Sequence, residues 1–346
     1  MATVPSVIRF DDPQVELVHG AGGKATRRLI EGLFLPALAN EVLAELADAA
    51  VLEAGGLRLA VTTDAFVVKP LRFPGGSIGE LAVYGTVNDL AVAGARPLGL
   101  VAAFIIEAGL PGEALRAEVE AMARAAARAG VAVVGGDTKV VEHGKADGLY
   151  IATTGVGLVD PRVRLGAGEV RPGDRILVSG PVGDHGITVL LARGELDLEA
   201  DLESDTRPVF PFVEALVGAA APGLRWMRDP TRGGVASALN ELARDARVGI
   251  VLYEEAVPVR DAVRGACEVL GLDPLYIASE GQFLAVVDPA FAEAALEAVR
   301  GVPGGELAAI IGEVRAEPAG VLLAVTSYGG SRVVDMLVGD PLPRIC

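Results

Sequence analysis

The chain has 346 residues, of which 51% are hydrophobic and only 4% aromatic, and its 46 acidic and 30 basic residues give a net charge of −16. Because so much negative charge repels nucleic acid and anionic membrane surfaces, we expect neither as a partner. At roughly 150 residues per domain, this length predicts about two domains with cores of Ala, Val, Leu and Ile.

The beginning of the chain and its two cysteines predict a cytoplasmic protein. Four charged residues within the first 16 positions interrupt any apolar segment of a signal peptide. The longest strongly apolar run, residues 98–106, ends at Glu107 and is too short for a membrane helix. Cys267 and Cys346 are the only cysteines, which leaves no disulfide framework and no CxxC metal site.

The first half alternates strand-like and helix-like patterns, which predicts an α/β domain over residues 1–170. Ser77 and Glu80 have the spacing of a capping box at a helix start, and Pro111 opens an Ala-rich helix that ends at Gly130. Apolar runs typical of buried strands cover residues 57–63, 98–106, 130–136 and 149–159.

Turn residues cluster at the start of the stretch 166–180, before a new strand, and indicate a domain boundary near residue 170. The alternation of helices and strands then resumes and predicts a second α/β domain over residues 171–326. Helical patterns cover residues 206–220, 232–246, 259–271 and 289–300, and apolar runs cover residues 249–255, 283–288, 307–314 and 321–326.

Residues 327–346 are predicted to form a tail. Pro341 and Pro343 exclude helix and sheet interior and favour an extended arm of about 3.1 Å per residue, which ends in Cys346. An exposed thiol with a pKa of about 8.5 is a competent nucleophile, whose ionisation the neighbouring α-carboxylate opposes and Arg344 favours. Cys346 is either an incidental residue on a disordered end or a thiol that a stiff arm presents to two sites.

Four aspartates stand in small-residue stretches beside apolar strands or in an apolar helix: Asp64 in "TTDAF", Asp89 in "VNDLAVAGA", Asp137 in "GGDTK" and Asp229 in "RDPTRGG". A buried carboxylate needs a cation or several donors to offset its desolvation, so the set suggests a metal–phosphate site. Each aspartate alone is explained equally well as a helix cap or a turn former. Capping does not explain Asp89, which lies in the middle of a helical pattern.

Glycine clusters at residues 19–30 and 232–243 run into helical patterns, where exposed N–H groups can receive phosphate oxygens. Ordinary turns explain them as well. Neither cluster is a Walker A motif, and no GxGxxG opens a helix after a strand. Lys139, close to Asp137, and His185 and Glu280, each beside a glycine, are further candidates for chemistry, although surface or structural roles are the alternatives.

Together these stretches resemble the HypE family of hydrogenase maturation factors, which are carbamoyl dehydratases. The family belongs to the ATP-binding superfamily of aminoimidazole ribonucleotide synthetase, selenophosphate synthetase and thiamine-monophosphate kinase. The likeness covers nearly the whole chain, and the cysteine tail is its most specific element. It is carried by "HGAGGK", "TTDAFVVKPLRFPGGSIGELAVYGTVNDLAVAGARP", "GGDTKVV", "SGPVGDHG", "DPTRGGV", "SEGQ" and "PRIC".

The resemblance implies the two-domain aminoimidazole ribonucleotide synthetase-like α/β fold, with an N-terminal domain that forms a homodimer and a C-terminal domain that closes an ATP site. It also implies that a HypF-type carbamoyltransferase loads a carbamoyl group onto Cys346. The chain then dehydrates this thiocarboxamide to a thiocyanate with Mg²⁺ and ATP. The cyano group passes to iron on a HypC–HypD complex, for a [NiFe]-hydrogenase.

Matched motif by motif, the resemblance also implies the site residues. The Mg²⁺ and ATP set is Asp64, Asp89, Asp137 and Asp229, with Asn88, Arg232 and Gly233 contacting ATP. Cys346 is the acceptor, and Lys139 and Glu280 handle the carboxamide and its protons, with His185 as a third candidate for the protons. The chain departs from the pattern at Pro230, where a small residue is more usual.

Two other functions compete. A small-molecule kinase or a selenophosphate synthetase of the same superfamily has no need of Cys346, and the latter needs a cysteine or selenocysteine in the early glycine segment, where "HGAGGK" has none. A non-catalytic thiol carrier for metal delivery uses Cys346 alone and leaves the aspartate-rich stretches unexplained.

Overall fold

The computed structural model describes residues 8–196, 198, 200–339, 342 and 344–346. These residues form two large β-sheets and a two-stranded sheet, flanked by helices. Each half of the chain contains strands as well as helices, so the predicted mixed α/β class is confirmed. In this described part, no helix combines the length and apolar character needed to cross a membrane.

The first sheet has five strands in the order β1-β2-β7-β5-β6, and only the β5–β6 pair is parallel. Its strand β6 is therefore an edge strand. The elements of this half are β1 Ala50–Ala54, β2 Leu57–Phe66, the short pair β3 Arg72–Phe73 and β4 Gly76–Ser77, β5 Ala95–Glu107, β6 Val133–Val141 and β7 Leu149–Val159, with helices α1 Gly23–Leu29, α2 Leu35–Leu38, α3 Ile78–Val92 and α4 Gly112–Arg128. A π-helical turn, Ile30–Phe34, joins α1 to α2.

The two faces of the first sheet differ in burial. Alternate side chains of β7 and β2 turn toward α3 and are mostly buried, and we call this side the inner face. Helix α3 itself is buried along nearly its whole length, because it separates the first sheet from the second half of the chain. The opposite, outer face carries exposed apolar side chains such as Val101 and Ile105.

The second sheet has seven strands in the order β14-β13-β10-β12-β8-β11-β9 and is antiparallel except for the β10–β13 pair. Its elements are β8 Arg175–Val178, β9 Leu224–Arg228, β10 Gly249–Tyr253, β11 Leu284–Val287, β12 Ala309–Arg315, β13 Leu322–Val325 and β14 Ser331–Val333, with helices α5 Asp184–Ala192, α6 Phe210–Ala220, α7 Gly234–Asp245, α8 Asp261–Leu270 and α9 Ala292–Arg300. Short 3₁₀ turns are Leu17–Gly20, Leu43–Glu45, Ala167–Glu169, Ala221–Gly223, Glu254–Ala256 and Pro274–Tyr276.

Three local expectations differ from the structure. Strand β2 continues through Asp64 to Phe66, and β6 includes Asp137, so both aspartates lie within strands rather than after them. The capping box is absent, since the Ser77 hydroxyl is buried without a hydrogen-bond partner and the Gly79 N–H donates instead to Glu118 Oε2. That carboxylate belongs to α4, so a tertiary contact replaces the local one.

The stretch expected to be a tail begins inside the second sheet, because β14 pairs with β13. Pro341 and Pro343, on which the expectation of a stiff arm depends, lie outside the described residues. Residues 344–346 run beside the chain that follows β2: the Val67 N–H donates to a main-chain oxygen of Cys346 at 3.0 Å, and the Lys69 N–H donates to the Arg344 carbonyl at 3.3 Å. The end of the chain is therefore docked on the protein.

Candidate active site

A cavity of about 180 Å³ lies where β2, α3, the β9–α7 connection and the docked end of the chain meet. We call it the carboxylate cavity, because five acidic side chains line it together with Cys346: Asp48, Asp64, Asp89, Asp229 and Glu280. The first three acids come from the first half of the chain and the other two from the second half. The fold thus gathers most of the predicted site residues around the predicted acceptor thiol.

Asp64 and Asp89 come from facing elements. Even-numbered residues of β2 point to the inner face, which directs Asp64 toward α3, where Asp89 is 8% exposed. The Thr62 hydroxyl lies 2.7 Å from Asp89 Oδ2 and 2.8 Å from the Asp48 carbonyl oxygen. A hydroxyl has one proton to donate and the carbonyl can only accept, so a protonated Asp89 carboxyl that donates to Thr62 satisfies both contacts.

The carboxyl groups of the cavity raise one another's pKa. Burial raises the pKa of Asp89 well above its usual range, and the charges of Asp64, Asp229 and Asp48 add to the effect. Burial, followed by the charges of Asp48 and Asp64, does the same to the pKa of Asp229. Such mutual repulsion in a closed site is relieved by a bound cation.

Two arginines supply the positive charge of the site. Arg228 Nε lies 3.0 Å from Asp48 Oδ1, and Arg228 Nη1 lies 2.8 Å from Glu241 Oε2. Arg232 projects between the two halves of the chain, with Nη1 donating to the Gly20 carbonyl at 3.2 Å. The charge at Cys346 is the largest contribution that raises the pKa of Arg232, so this guanidinium faces the end of the chain.

Glu280 is a buried acid at 3% exposure on the loop before β11. Burial raises its pKa well above the usual range, and Asp229 and Asp205 act in the same direction. An acid with a raised pKa has a strongly basic conjugate form, which suits it to accept a proton from a substrate.

The backbone around Glu280 is fixed by Asn88. The Asn88 Nδ2 donates to the carbonyls of Glu280 at 2.8 Å and Arg207 at 3.1 Å, and Asn88 Oδ1 accepts from the Val209 N–H at 2.8 Å. The side chain is fully buried, and both ends of its amide are bound to backbone. In this structure Asn88 therefore holds two loops of the second half against α3, and its contact with ATP stays a prediction.

Gly233 lies at the start of α7 and is buried, with φ of 76°. A Cβ at this position would lie 2.1 Å from the Ser237 hydroxyl oxygen, so a glycine is required here. Pro230 directly follows Asp229 in the connection that leads to α7, and its carbonyl accepts from the Ser279 N–H at 3.0 Å. The loop of Asp229 and the loop of Glu280 are thus joined by backbone.

Cys346 is half-buried in the cavity because the residues before it are anchored. Ile345 is 1% exposed, and its carbonyl accepts a hydrogen bond from His185 Nε2 at 2.7 Å. Arg344 has a left-handed backbone with φ of 58°, and its Nη1 donates to Asp147 Oδ2 at 2.7 Å.

Two predicted site residues lie elsewhere in the single chain. Asp137 and Lys139 form an exposed ion pair on β6, with 2.7 Å between Nζ and Oδ2, and this contact lowers the pKa of Asp137. Their β5 partners are Ala103 and Ile105, which places both side chains on the outer face. Since β6 is three strands from β2, Asp137 is also about 14 Å from Asp64 across the sheet.

Asp48 is an acid of the cavity that the sequence patterns did not single out. It stands in "ADAAV", two residues before β1 begins, beside small residues and an apolar strand, as the predicted aspartates do. The same pattern therefore could have found it. Burial raises the pKa of Asp48 despite the neighbouring Arg228.

The residues fit a hard divalent cation that shares its ligands with a phosphate. Among the residues the structure describes, no three His, Cys, Asp or Glu side chains converge closely enough to enclose a metal ion alone. Mg²⁺ does not require such a cage, because one or two carboxylates, waters and substrate phosphates complete its octahedral shell. The carboxylate oxygens of the cavity are donors of the right type.

Both halves of this chain are similar in sequence to domains of known proteins. The family model of AIR synthase related proteins matches twice, with its N-terminal domain over residues 46–159 and its C-terminal domain over residues 171–324. A protein of Azotobacter vinelandii named carbamoyl dehydratase HypE is 54% identical over 332 residues, which are 96% of this chain and 97% of that protein.

Solved structures agree with the sequence match. A crystal structure of the hydrogenase maturation protein HypE in complex with ATP superposes with a TM-score of 0.80 at 46% identity, over 95% of this chain and 99% of that one. A crystal structure of a HypE–HypF complex superposes with a TM-score of 0.85, also at 46% identity, over 89% of this chain and 99% of that one.

Proposed function

This chain belongs to the HypE family of carbamoyl dehydratases, and we propose that its substrate is a carbamoyl group carried on its own Cys346. The observation that carries the proposal is that Cys346 lines the same cavity as Asp64, Asp89, Asp229 and Glu280. A volume of about 180 Å³ is below the roughly 300–1,000 Å³ of usual small-molecule sites, as expected of a site that its own tail already enters.

The proposed reaction removes one water from the thiocarboxamide. The carboxamide oxygen attacks the γ-phosphorus of ATP, which forms a C–O–P linkage, releases ADP and frees one N–H proton. The C–O bond then breaks with phosphate as the leaving group, the second N–H proton is lost, and the thiocyanate remains on sulfur. Activation by phosphorylation is needed because an amide oxygen is otherwise a poor leaving group.

Within this chain, Glu280 is the candidate that accepts the protons, since it is buried in the cavity and its pKa is raised. Arg232 is suited to hold the negative charge that develops on the transferred phosphoryl group, because it faces Cys346. Phosphoryl transfer depends mainly on such positioning and charge neutralisation.

We propose Asp48, Asp64, Asp89 and Asp229 as the residues that hold Mg²⁺ with the triphosphate. A bound Mg²⁺ neutralises phosphate charge and relieves the mutual repulsion that raises the pKa of these acids. Asp48 is absent from the sequence-based set and is added because it lines the cavity.

We further propose that the outer face of the first sheet forms a homodimer. A dimer would explain why Asp137 and Lys139 lie away from the carboxylate cavity of their own chain. Val101 and Ile105 on this face are 41% and 39% exposed, and Leu98 is 49% exposed. An apolar sheet face of this kind is typical of a protein interface. Asp137 and Lys139 lie on the same face, so they are candidates to serve the cavity of the second copy rather than that of their own chain.

The partners follow from the chemistry of the thiol. A HypF-type carbamoyltransferase has to reach Cys346 to load it, and a HypC–HypD complex has to reach it to accept the cyano group, so the end of the chain must leave the cavity for both. The loading step uses a free thiol, which a reducing cytoplasm maintains.

The test is the intact mass of the protein after incubation with carbamoyl phosphate, ATP, Mg²⁺ and the HypF-type partner, with the adduct mapped by peptide sequencing. We expect a carbamoyl adduct on Cys346 that loses one water when ATP is present. Asp229→Asn is the matched control, which should take up the carbamoyl group and retain its water. Glu280→Gln should bind ATP and also stop before the nitrile.

An unmodified Cys346 beside an active partner would overturn the proposal and would favour a small-molecule kinase of the same fold. A carbamoyl adduct that loses water without ATP would refute the role of the carboxylate cavity. Retained dehydration in Asp229→Asn would do the same.

A further inference from the structure

His185 is fully buried beside the docked end of the chain and does not line the carboxylate cavity. It is the second residue of α5 and packs against the edge of Phe73, with 5.4 Å between ring centroids. Its Nε2 lies 2.7 Å from the Ile345 carbonyl oxygen and its Nδ1 lies 2.8 Å from the Ser204 hydroxyl. Both ring nitrogens are thus engaged, and neither points to the thiol.

The partners of the ring fix its tautomer. The Ile345 carbonyl can only accept, so Nε2 carries the proton and donates it. Because burial lowers the pKa of His185 to about 4, the ring is neutral at pH 7, and Nδ1 therefore accepts from the Ser204 hydroxyl. The Ser204 oxygen in turn accepts from the Thr206 N–H at 3.2 Å and lies 2.6 Å from the Thr206 hydroxyl.

Main-chain oxygens before and after the Cα of Cys346 are held. His185 binds the carbonyl of Ile345, and the Val67 N–H binds a main-chain oxygen of Cys346. One residue earlier, the Arg344 carbonyl accepts from Lys69 N and from Arg193 Nη2. Since the backbone is fixed around the thiol, the direction of the Cys346 side chain depends mainly on its own χ1 torsion.

We propose that His185 is a positioning residue that holds the backbone of the docked tail through the Ile345 carbonyl, with Ser204 and Thr206 selecting the Nε2–H tautomer required for that bond. The inference rests on the proposed function, in which Cys346 carries the reacting group. It gives His185 a role in alignment and removes it from the candidates that transfer protons. A 1 Å displacement of a reacting group costs rate even when no catalytic group is lost.

Two amide variants separate the two ends of the imidazole. In His185→Gln the amide nitrogen reaches about as far as Nε2 and keeps the donor to Ile345, whereas in His185→Asn the shorter amide reaches only the Ser204 side. His185→Asn leaves the larger gap in the core, so thermal unfolding is measured for both variants beside the rate. A merely structural histidine would change the alkylation rate only in step with the lost stability, whereas a histidine that holds the Ile345 carbonyl would give a faster rate in His185→Asn than that loss explains.

The measurement is the alkylation rate of Cys346 by iodoacetamide in the unmodified, full-length protein without ATP or partner, in a Cys267→Ser background that leaves one thiol. We expect His185→Asn to react about tenfold faster than the parent, and His185→Gln within about twofold of it, from the loss or retention of one buried hydrogen bond. Equal rates for Asn and Gln would overturn the proposal. This assay needs no carbamoyl transfer, so it can fail or succeed independently of the proposed function.

A second readout needs no substitution. The three histidines of the chain give a simple ¹⁵N-imidazole spectrum, in which the shifts of the two ring nitrogens identify the tautomer. We expect His185 to keep the neutral Nε2–H form at pH 7, and Ser204→Ala to mix in the other tautomer. A charged ring or a protonated Nδ1 in the wild type at pH 7 would contradict the proposal even if the variants fail to fold.

Discussion

Ile345 and Cys346 are neighbours in the chain, yet they lie in opposite electrostatic surroundings. The carbonyl of Ile345 meets a neutral, fully hydrogen-bonded chain of His185, Ser204 and Thr206. Cys346 meets buried acids that raise one another's pKa and have too few cations to balance them. The first region is complete by itself and stabilises the fold, whereas the second gains its balance only with a ligand.

The largest expected effect is on the cavity. Asp64→Asn should lower ATP-dependent dehydration by about 10³-fold, because it removes a negatively charged ligand of the cation. It should also raise the melting temperature without ligand by about 2 °C at pH 7, since burial raises the pKa of Asp64 and its charge opposes folding. The gain should vanish below pH ~4, where the carboxyl is protonated in both states.

Turnover and thermal unfolding with and without Mg-ATP check this prediction, with the wild type as the control that Mg-ATP should stabilise. A clear loss of stability without ligand in Asp64→Asn would contradict the difference between the two regions, because it would show that the acids of the cavity stabilise the fold.

The next prediction sharpens where the cavity ends. If Asp137 serves the cavity of a second copy, a refolded mixture of inactive Asp137→Asn and inactive Asp229→Asn chains should regain about a quarter of wild-type turnover, because half of the dimers have one intact site. Each variant refolded alone is the control. An active Asp137→Asn protein, or a mixture with no recovery, would refute a shared site.

The neutral region makes its own prediction about pH. The unfolded chain protonates His185 near pH 6.5, but the folded chain does so only at about pH 4, so the stability that its neutral form contributes is complete above pH 6.5 and is lost as pH falls toward 4. The free energy of unfolding should fall by about 3 kcal/mol more in the wild type than in His185→Gln over that range. Urea unfolding at pH 7 and pH 4 measures the difference. An equal fall in the free energy of unfolding in the wild type and in His185→Gln would contradict the buried neutral ring.

The smallest effect is expected at the partly exposed ion pairs beside the docked end of the chain. Asp147 pairs with Arg344 at 2.7 Å and with Lys69 at 3.2 Å, and all three side chains are partly exposed. Asp147→Asn should therefore raise the alkylation rate of Cys346 only about threefold, and 1 M salt should mimic it. An effect as large as that of His185→Asn would mean that charge, rather than the buried clamp, fixes the tail.

Much of the cavity could be predicted from sequence, because its acids recur in one recognisable setting of small residues beside apolar segments. Asp64, Asp89, Asp229, Glu280 and Cys346 all stand in motifs that the sequence alone marks as candidates, and they lie in one cavity. Sequence could not show that Asp137 faces away, since that depends on the register of β6 against β5.

Other details depended on tertiary contacts that local patterns do not contain. Asn88 has the spacing of a site residue, but the backbone of two distant loops occupies its amide. Ser77 and Glu80 have the spacing of a capping box, but Glu118 of another helix binds the helix start. The docking of the tail combines contacts from both halves of the chain, so no single stretch predicts it.

The left-handed backbone of Arg344 has a kinetic consequence. For a residue that has a side chain, this backbone conformation is about 1 kcal/mol less stable than the right-handed one. The strain is present while the tail is docked and is relieved when the tail leaves. Such a difference corresponds to about a fivefold shorter residence time. The docked end of the chain is therefore suited to repeated departure and return rather than to storage, as the proposed loading and unloading of Cys346 outside the cavity requires.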